Sequence, residues 1–83
     1  MKVHLRYFAS IRETLGTGTE TLETAAPTLG ALREELVARG GAHAQALARG
    51  RAVRMALNQV MSDESAALTE GAEVGVFPPV TGG

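Results

Sequence analysis

The sequence predicts an α+β fold in which a mixed sheet of four to five strands carries one main helix on one face. Three patterns within the 83 residues lead to this prediction. Residues 2–10 alternate between apolar and polar side chains, which is typical of a strand with one buried face. Residues 28–39 repeat leucine at helical spacing, and strand-like alternation returns over residues 53–57 and 73–77. The length suits one small domain, residues 1–83, and not two.

The first strand is predicted to present one face to the core and the other to solvent. The apolar residues at its odd positions are Val3, Leu5, Tyr7 and Ala9. Its even positions are polar except for Phe8, which we therefore expect to point away from the core. Ser10, with Glu13 three residues later, has the pattern of a capping box and predicts at most a short helical turn. A threonine-rich strand over residues 19–24 would pair with the first strand as a hairpin, connected through Gly16–Gly18.

The main helix is predicted to begin after Thr28, whose side chain would cap its N-terminus, and to end at Gly40-Gly41. The apolar stripe that would face the sheet consists of Leu29, Leu32, Leu36 and Val37. The charged side chains that we expect to face water are Arg33, Glu34 and Arg39. A short alanine-rich helix over residues 42–49 would then place Ala46 and Leu47 against the core.

The last third of the chain is predicted to return to the sheet. A strand over residues 53–57 is followed by a turn at Asn58-Gln59 and a short strand from Val60. A last strand covers residues 73–77 and ends at Pro78-Pro79, since proline cannot donate to a strand ladder. The residues of this strand that we expect to point inward are Val74 and Val76. A helix between two pairs of strands is the order of the β-grasp fold, which ubiquitin-like proteins share.

Composition excludes several classes of function. The chain has no cysteine, which excludes a disulfide scaffold, a thiolate metal site and a cysteine nucleophile. Its two histidines, His4 and His43, are far apart in sequence, so we predict no metal site. The net charge of −1 argues against binding to a nucleic-acid backbone. Without a long apolar run or a signal peptide, the chain is predicted to be cytoplasmic and not membrane-bound.

Side-chain arrangements typical of catalysis are also missing. Lys2 is the only lysine, and no serine has a histidine near it in sequence. Asp63 and Glu64 are adjacent carboxylates, but a solvated loop explains them better than an acid–base or metal site does. The two glycines of Gly16–Gly18 lack the third glycine and the strand-to-helix context of a phosphate loop. We therefore predict that the chain is not an enzyme on its own.

The end of the chain is the unusual feature. After the stiff Pro78-Pro79 comes a thin tip, predicted to be flexible, that consists of Val80, Thr81, Gly82 and Gly83. Glycine has no side chain, so such a tip fits a narrow channel that larger residues would block. Its reactive group is the α-carboxylate of Gly83, which becomes an acylating group only after a partner enzyme converts it to an acyl adenylate with ATP. The predicted role of the chain is thus that of a substrate for its partners.

Five segments together resemble one family over essentially the whole chain. The most specific is the ending Phe77–Gly83, FPPVTGG, and the next is Leu68–Val74, LTEGAEV. The others are Tyr7–Ala9, Ile11–Glu13 and Ala56–Gln59. These segments are similar to those of the small subunit of molybdopterin synthase, the MoaD-type sulfur carrier.

This resemblance implies a role and two partners. An activating enzyme of the MoeB type would adenylate Gly83, and sulfur would then be loaded as a C-terminal thiocarboxylate. The tail would insert into the large, MoaE-type subunit, where sulfur passes to cyclic pyranopterin monophosphate for the molybdenum cofactor. Two carriers and two large subunits would form a heterotetramer. The chain alone would bind no cofactor, because ATP is used by the activating enzyme.

Given this resemblance, we expect the outward apolar residues to form a partner interface. Phe8, Met61 and Phe77 would form an apolar patch on the open face of the sheet, at the root of the tail. Arg6 and Arg12 would flank this patch and meet acidic residues of the partner. The alternative is that one or more of the three apolar residues belong to the core.

Three other functions remain open from the sequence, two with the same chemistry and one without it. The same activation chemistry would serve a sulfur carrier for thiazole synthesis, or a ubiquitin-like modifier joined to lysine amines, although the FPPVTGG tail favours molybdopterin synthesis. A third hypothesis is a β-grasp interaction module whose tail has no chemistry. Only this last hypothesis predicts that removal of Gly83 leaves function intact.

Overall fold

The computed structural model describes residues 1–48, 50 and 52–79. Within them the chain forms five strands and three helices. In chain order these are β1 Lys2–Tyr7, α1 Ala9–Leu15, β2 Thr19–Glu23, α2 Leu29–Ala38, α3 Gly41–Leu47, β3 Arg54–Leu57, β4 Val60–Ser62 and β5 Glu73–Phe77.

The strands form one mixed sheet in the order β2-β1-β5-β3-β4. The neighbours β1 and β5 are parallel, whereas β1–β2, β3–β5 and β3–β4 are antiparallel. This arrangement confirms the predicted β-grasp fold. The turn between β3 and β4 has positive φ at both Asn58 and Gln59, as a two-residue hairpin turn requires.

The core lies between one face of the sheet and α2. Thr28 caps α2 as predicted, because its hydroxyl accepts a hydrogen bond of 3.1 Å from the backbone N–H of Ala31. Most residues of the predicted helix stripe and of the inward strand positions are fully or almost fully buried. The buried residues are Val3, Leu5, Tyr7, Leu29, Leu32, Leu36, Val74 and Val76. The predictions for two residues are wrong: Val37 is only half-buried, and Ala9 is exposed because α1 begins there. Ala46 and Leu47 of α3 are buried as well, which confirms their predicted place in the core.

Two predictions about local structure are wrong. The N-cap of α1 is Phe8 and carries no side-chain hydrogen bond, so Ser10 and Glu13 do not form a capping box. Ser10 instead lies inside α1, which begins at Ala9 because Phe8 is still bonded to β5 through its N–H and the carbonyl of Val76, at 3.1 Å. The connection between β1 and β2 is therefore the seven-residue α1 and not a short glycine turn.

The prediction that Arg33 faces water is also wrong. Its side chain is only 5% exposed, because position 33 lies one helical turn from Leu29 and shares its buried stripe. Nε and Nη2 donate to the carbonyl oxygens of Leu47 and Ala48, each at 2.8 Å. Nη1 donates to the carboxylate of Glu64 at 2.7 Å. Arg33 thus ties α2 to the end of α3 and to the loop after β4, and Glu64 is not simply solvated.

Replacement of Arg33 by methionine is expected to destabilise the fold by about 2–3 kcal/mol. Methionine keeps much of the volume but removes the donors to two carbonyl oxygens and the ion pair with half-buried Glu64. Urea unfolding measures the loss. Arg12→Met is the matched control, since Arg12 is exposed on α1 and should change stability by less than about 0.5 kcal/mol. Equal effects of the two substitutions would contradict a role for the buried ion pair.

Candidate functional site

The sheet topology brings Phe8 and Phe77 together. Because β1 and β5 are parallel neighbours, the residue that follows β1 lies beside the last residue of β5. The two rings are stacked, with centroids 4.4 Å apart and planes within 5° of parallel. Such a pair contributes about 0.5–1.5 kcal/mol beyond the burial of its surface. Both side chains are half-buried and lie outside the buried core, so the alternative that they are core residues is wrong.

Met61 lies on the same open face as the two rings. It pairs with Ala56 across β3 and β4 and is 55% exposed, which is unusual for a large apolar side chain. Two depressions on this face share Phe8, Met61 and Phe77 as lining residues. We call these three residues the apolar patch. The structure thus brings together the three apolar residues that the sequence predicted as an interface.

The depressions differ in size and in their further lining. The larger, of about 530 Å³, is also bounded by Arg54, Pro78 and Pro79. The smaller, of about 220 Å³, extends over Gly75 and Ala56 toward β4. The larger depression therefore lies between the apolar patch and the start of the C-terminal tail. The rest of that tail, with Val80, Thr81, Gly82 and Gly83, lies outside the described residues.

Arginines surround the apolar patch. The guanidinium carbon of Arg6 lies 5.7 Å from the centre of the Phe8 ring, and Nη1 is 3.9 Å from the carboxylate of Glu73. Arg12 does not line either depression of the apolar patch; it lines a neighbouring polar hollow that it shares with Arg6 and Phe8. The sequence analysis missed Arg54, although the strand alternation around Met55 places position 54 on the open face. The cations favour a partner with carboxylates around an apolar contact.

A second cluster of polar side chains lies on the other face of the sheet, around Glu20. Its carboxylate accepts hydrogen bonds from the Tyr7 hydroxyl at 2.8 Å and from Arg39 at 2.6 Å, and lies 3.5 Å from His43 Nε2. Burial alone would raise the pKa of Glu20, but the hydrogen bonds from Arg39 and Tyr7 outweigh it and hold the pKa below its ordinary value. These groups satisfy one another and join β2 to α2 and α3, so the cluster is structural.

Glu20 is expected to make the stability of the fold depend on pH. Its folded-state pKa lies below the ordinary value of 4.5, so ionised Glu20 stabilises the fold above that pH. The contribution is lost as the pH falls through the folded-state value. The melting temperature should therefore fall more steeply between pH 7 and pH 3 for the wild type than for Glu20→Gln. At pH 7 the melting temperature of Glu20→Gln should be lower than that of the wild type. Glu13→Gln on exposed α1 is the control, and identical profiles for all three proteins would contradict the role of Glu20.

No group of three or more potential metal ligands occurs among the described residues, and none of their helices is long and apolar enough to cross a membrane. The candidate site consists of the apolar patch, the neighbouring arginines and the start of the tail. The β-grasp sheet and helix that carry it place the chain in the class of ubiquitin-like proteins.

Comparisons with known proteins identify the family. Residues 5–83 match the ThiS family, and the chain belongs to it. The chain is 38% identical to the molybdopterin synthase sulfur carrier subunit of Escherichia coli over 81 residues, which is 98% of this chain and 99% of that protein. This similarity confirms the family relationship that the sequence segments indicated.

Solved structures agree with the fold. The chain resembles SAMP1 from Haloferax volcanii with a TM-score of 0.78 at 25% identity, over the full length of both chains. It also resembles a chain from the complex of subunits 1 and 2 of the molybdopterin-converting factor from Helicobacter pylori, with a TM-score of 0.70 at 25% identity and full coverage of both.

Proposed function

We propose that the chain is the sulfur carrier subunit of a molybdopterin synthase, and that the carboxylate of Gly83 carries the sulfur. The observation that carries this proposal is the exposed apolar patch at the start of a tail with the ending FPPVTGG. The near full-length similarity to a molybdopterin synthase sulfur carrier subunit supports it. In this proposal the chain is a carrier and not a catalyst, as the name of its relative at 38% identity, a sulfur carrier subunit, supports.

The chemistry begins with activation of the terminal carboxylate. A carboxylate resists attack because its leaving group would be oxide. In the proposed reaction, a carboxylate oxygen of Gly83 attacks the α-phosphate of ATP on a MoeB-type activating enzyme, and pyrophosphate leaves. A sulfur nucleophile then attacks the acyl carbon, the bond to AMP breaks, and a thiocarboxylate remains. The activating enzyme supplies ATP and catalysis, and the chain supplies the substrate carboxylate.

Delivery of the sulfur requires a second partner. We propose that the tail enters a MoaE-type large subunit, where sulfur passes to cyclic pyranopterin monophosphate, and that two carriers and two large subunits form a heterotetramer. Gly82 and Gly83 suit a narrow channel because they have no side chains. The resemblance to a chain from a complex of two molybdopterin-converting subunits supports such a partner. We also propose a cytoplasmic location for the chain, because the activating enzyme needs ATP.

The apolar patch is proposed as the docking surface for both partners. An apolar side chain of the partner would fill the depression of about 530 Å³, and partner carboxylates would face Arg6, Arg12 and Arg54. Both partners need the same surface and the same tail. The activating enzyme and the large subunit are therefore expected to compete for the carrier.

Mass spectrometry tests the proposal. The carrier is incubated with a MoeB-type enzyme, ATP and a sulfide source, and the product is fragmented. Fragmentation is necessary because oxidation of any of the 3 methionines adds nearly the same mass as exchange of oxygen for sulfur. Sulfur on Gly83 is the expected result. An unmodified Gly83, with an enzyme that loads a known carrier, would contradict the proposal.

A second candidate is a modifier that becomes joined to lysine amines of other proteins, which the similarity to SAMP1 from Haloferax volcanii, a small archaeal modifier protein, favours. A sulfur carrier for thiazole synthesis is a third, which membership of the ThiS family favours. The acceptor distinguishes them: an isopeptide product indicates a modifier, whereas sulfur incorporation into the pterin precursor indicates molybdopterin synthesis.

A further inference from the structure

The ring of Phe77 lies against the sheet directly above Gly75. Positions 75 and 77 both belong to the outward set of β5, because Val74 and Val76 between and beside them are buried in the core. A Cβ atom placed on Gly75 would lie 3.0 Å from Cε2 and 3.2 Å from Cζ of Phe77. Contacts of 3.0–3.4 Å are tighter than nine in ten real Cβ contacts, so the Phe77 ring would have to move by a few tenths of an ångström if position 75 carried a side chain.

The sheet surface beneath the Phe77 ring is flat because the residues there are small. Gly75 pairs with Ala56 of β3, whose Cβ would be 3.6 Å from the added Cβ, and Ala56 pairs in turn with Met61. On the other side, Gly75 pairs with Arg6 of β1. Glycine and alanine therefore form a shallow seat between the side chains of Arg6 and Met61. The Phe77 ring occupies this seat and lines both depressions.

We propose that Gly75 is a positioning residue for the docking surface: its missing side chain seats the Phe77 ring on the sheet and permits the stack on Phe8. The part that concerns docking rests on the proposed function. The backbone of Gly75 lies outside the left-handed region, so conformational freedom does not explain a glycine there. Glycine within a strand weakens it, and the sheet accepts this cost where a close approach is needed.

The proposal predicts that Gly75→Ala weakens binding but not the fold. The melting temperature should change little, because the gain from alanine as the better strand residue, about 0.5–1 kcal/mol, offsets the loss of the aromatic stack. Affinity for the large subunit of molybdopterin synthase should nevertheless fall by about 3- to 10-fold, which corresponds to loss of the aromatic stack. A merely structural glycine would lower both quantities together.

Three measurements on the full chain test the proposal: the melting temperature, the affinity for the large subunit and the NMR contacts between the Phe rings. The chain has only two phenylalanines and one tyrosine, so the contacts between the two Phe rings are readily assigned by NMR. These ring-to-ring contacts should be present in the wild type and lost in Gly75→Ala. Gly50→Ala is the control, because no described atom lies within 4 Å of a Cβ at that position. It should leave ring contacts and affinity unchanged.

A double-mutant cycle tests whether Gly75 affects binding through the Phe77 ring. In a Phe77→Leu background there is no ring to displace, so Gly75→Ala should cost little further affinity. An equal loss of affinity in both backgrounds, intact ring contacts in Gly75→Ala, or a lowered melting temperature would each overturn the proposal. A wild-type carrier that loads sulfur but does not bind the large subunit would overturn the docking part and the proposed partner. The NMR result would still decide whether Gly75 seats the ring.

Discussion

Deletion of Gly83 is expected to abolish sulfur loading while the fold keeps its stability. The activating enzyme acts on a carboxylate at one place, and a chain that ends at Gly82 presents its carboxylate one residue short, about 3.5 Å back along an extended tail. A displacement of that size removes the reacting atom from the adenylation site. The core residues of the described structure all precede Pro78, so we expect the deletion to leave this core intact.

The measurement compares thiocarboxylate yield and melting temperature for the full chain and for the deletion variant. We expect at least a 100-fold loss of loading, in line with a misplaced reacting group, and a melting temperature within about 1 °C. A chain with an added alanine after Gly83 is the matched control for tail length, and it should fail in the same way. Normal sulfur transfer by the deletion variant would instead support the passive interaction module.

The sequence sufficed for features that depend on local periodicity. Alternation around Leu5 and leucine spacing around Leu32 identified the two sides of the core, because burial of a strand face or a helix stripe leaves a regular pattern. Phe8 broke the polar face of its strand, and this break indicated the apolar patch correctly. The open face was thus predictable from residues that did not fit their own pattern.

Features that depend on distant segments were not predictable. Arg33 was expected in water because it is charged, but its partners are carbonyl oxygens of Leu47 and Ala48, which only the packing of α3 on α2 brings within reach. Gly75 appeared unremarkable between two valines. Its role becomes visible only once the parallel pairing of β1 and β5 has placed the Phe8 and Phe77 rings in one stack.

Replacement of Phe8 by alanine should weaken binding to the large subunit by about 1–3 kcal/mol, or roughly 5- to 150-fold. Phe8 lines both depressions, stacks on Phe77 and lies under the guanidinium of Arg6. Removal of the Phe8 ring therefore eliminates one wall of the docking surface, and Phe77 and Arg6 lose their contacts with that ring. Isothermal titration calorimetry with the purified large subunit measures the loss.

The stability of the same variant decides what Phe8 does. Phe8→Ala removes one stacked pair and the half-buried surface of the ring, so it should lower the free energy of unfolding by no more than about 2.5 kcal/mol and leave the domain folded. Met61→Ala is a second test of the same surface, because Met61 is 55% exposed on edge strand β4 and its truncation should leave stability almost unchanged. Weaker binding by both variants, with stability retained in Met61→Ala, assigns the apolar patch to the partner. If Phe8→Ala unfolds the domain and Met61→Ala binds normally, the open face serves the fold alone and docking lies elsewhere.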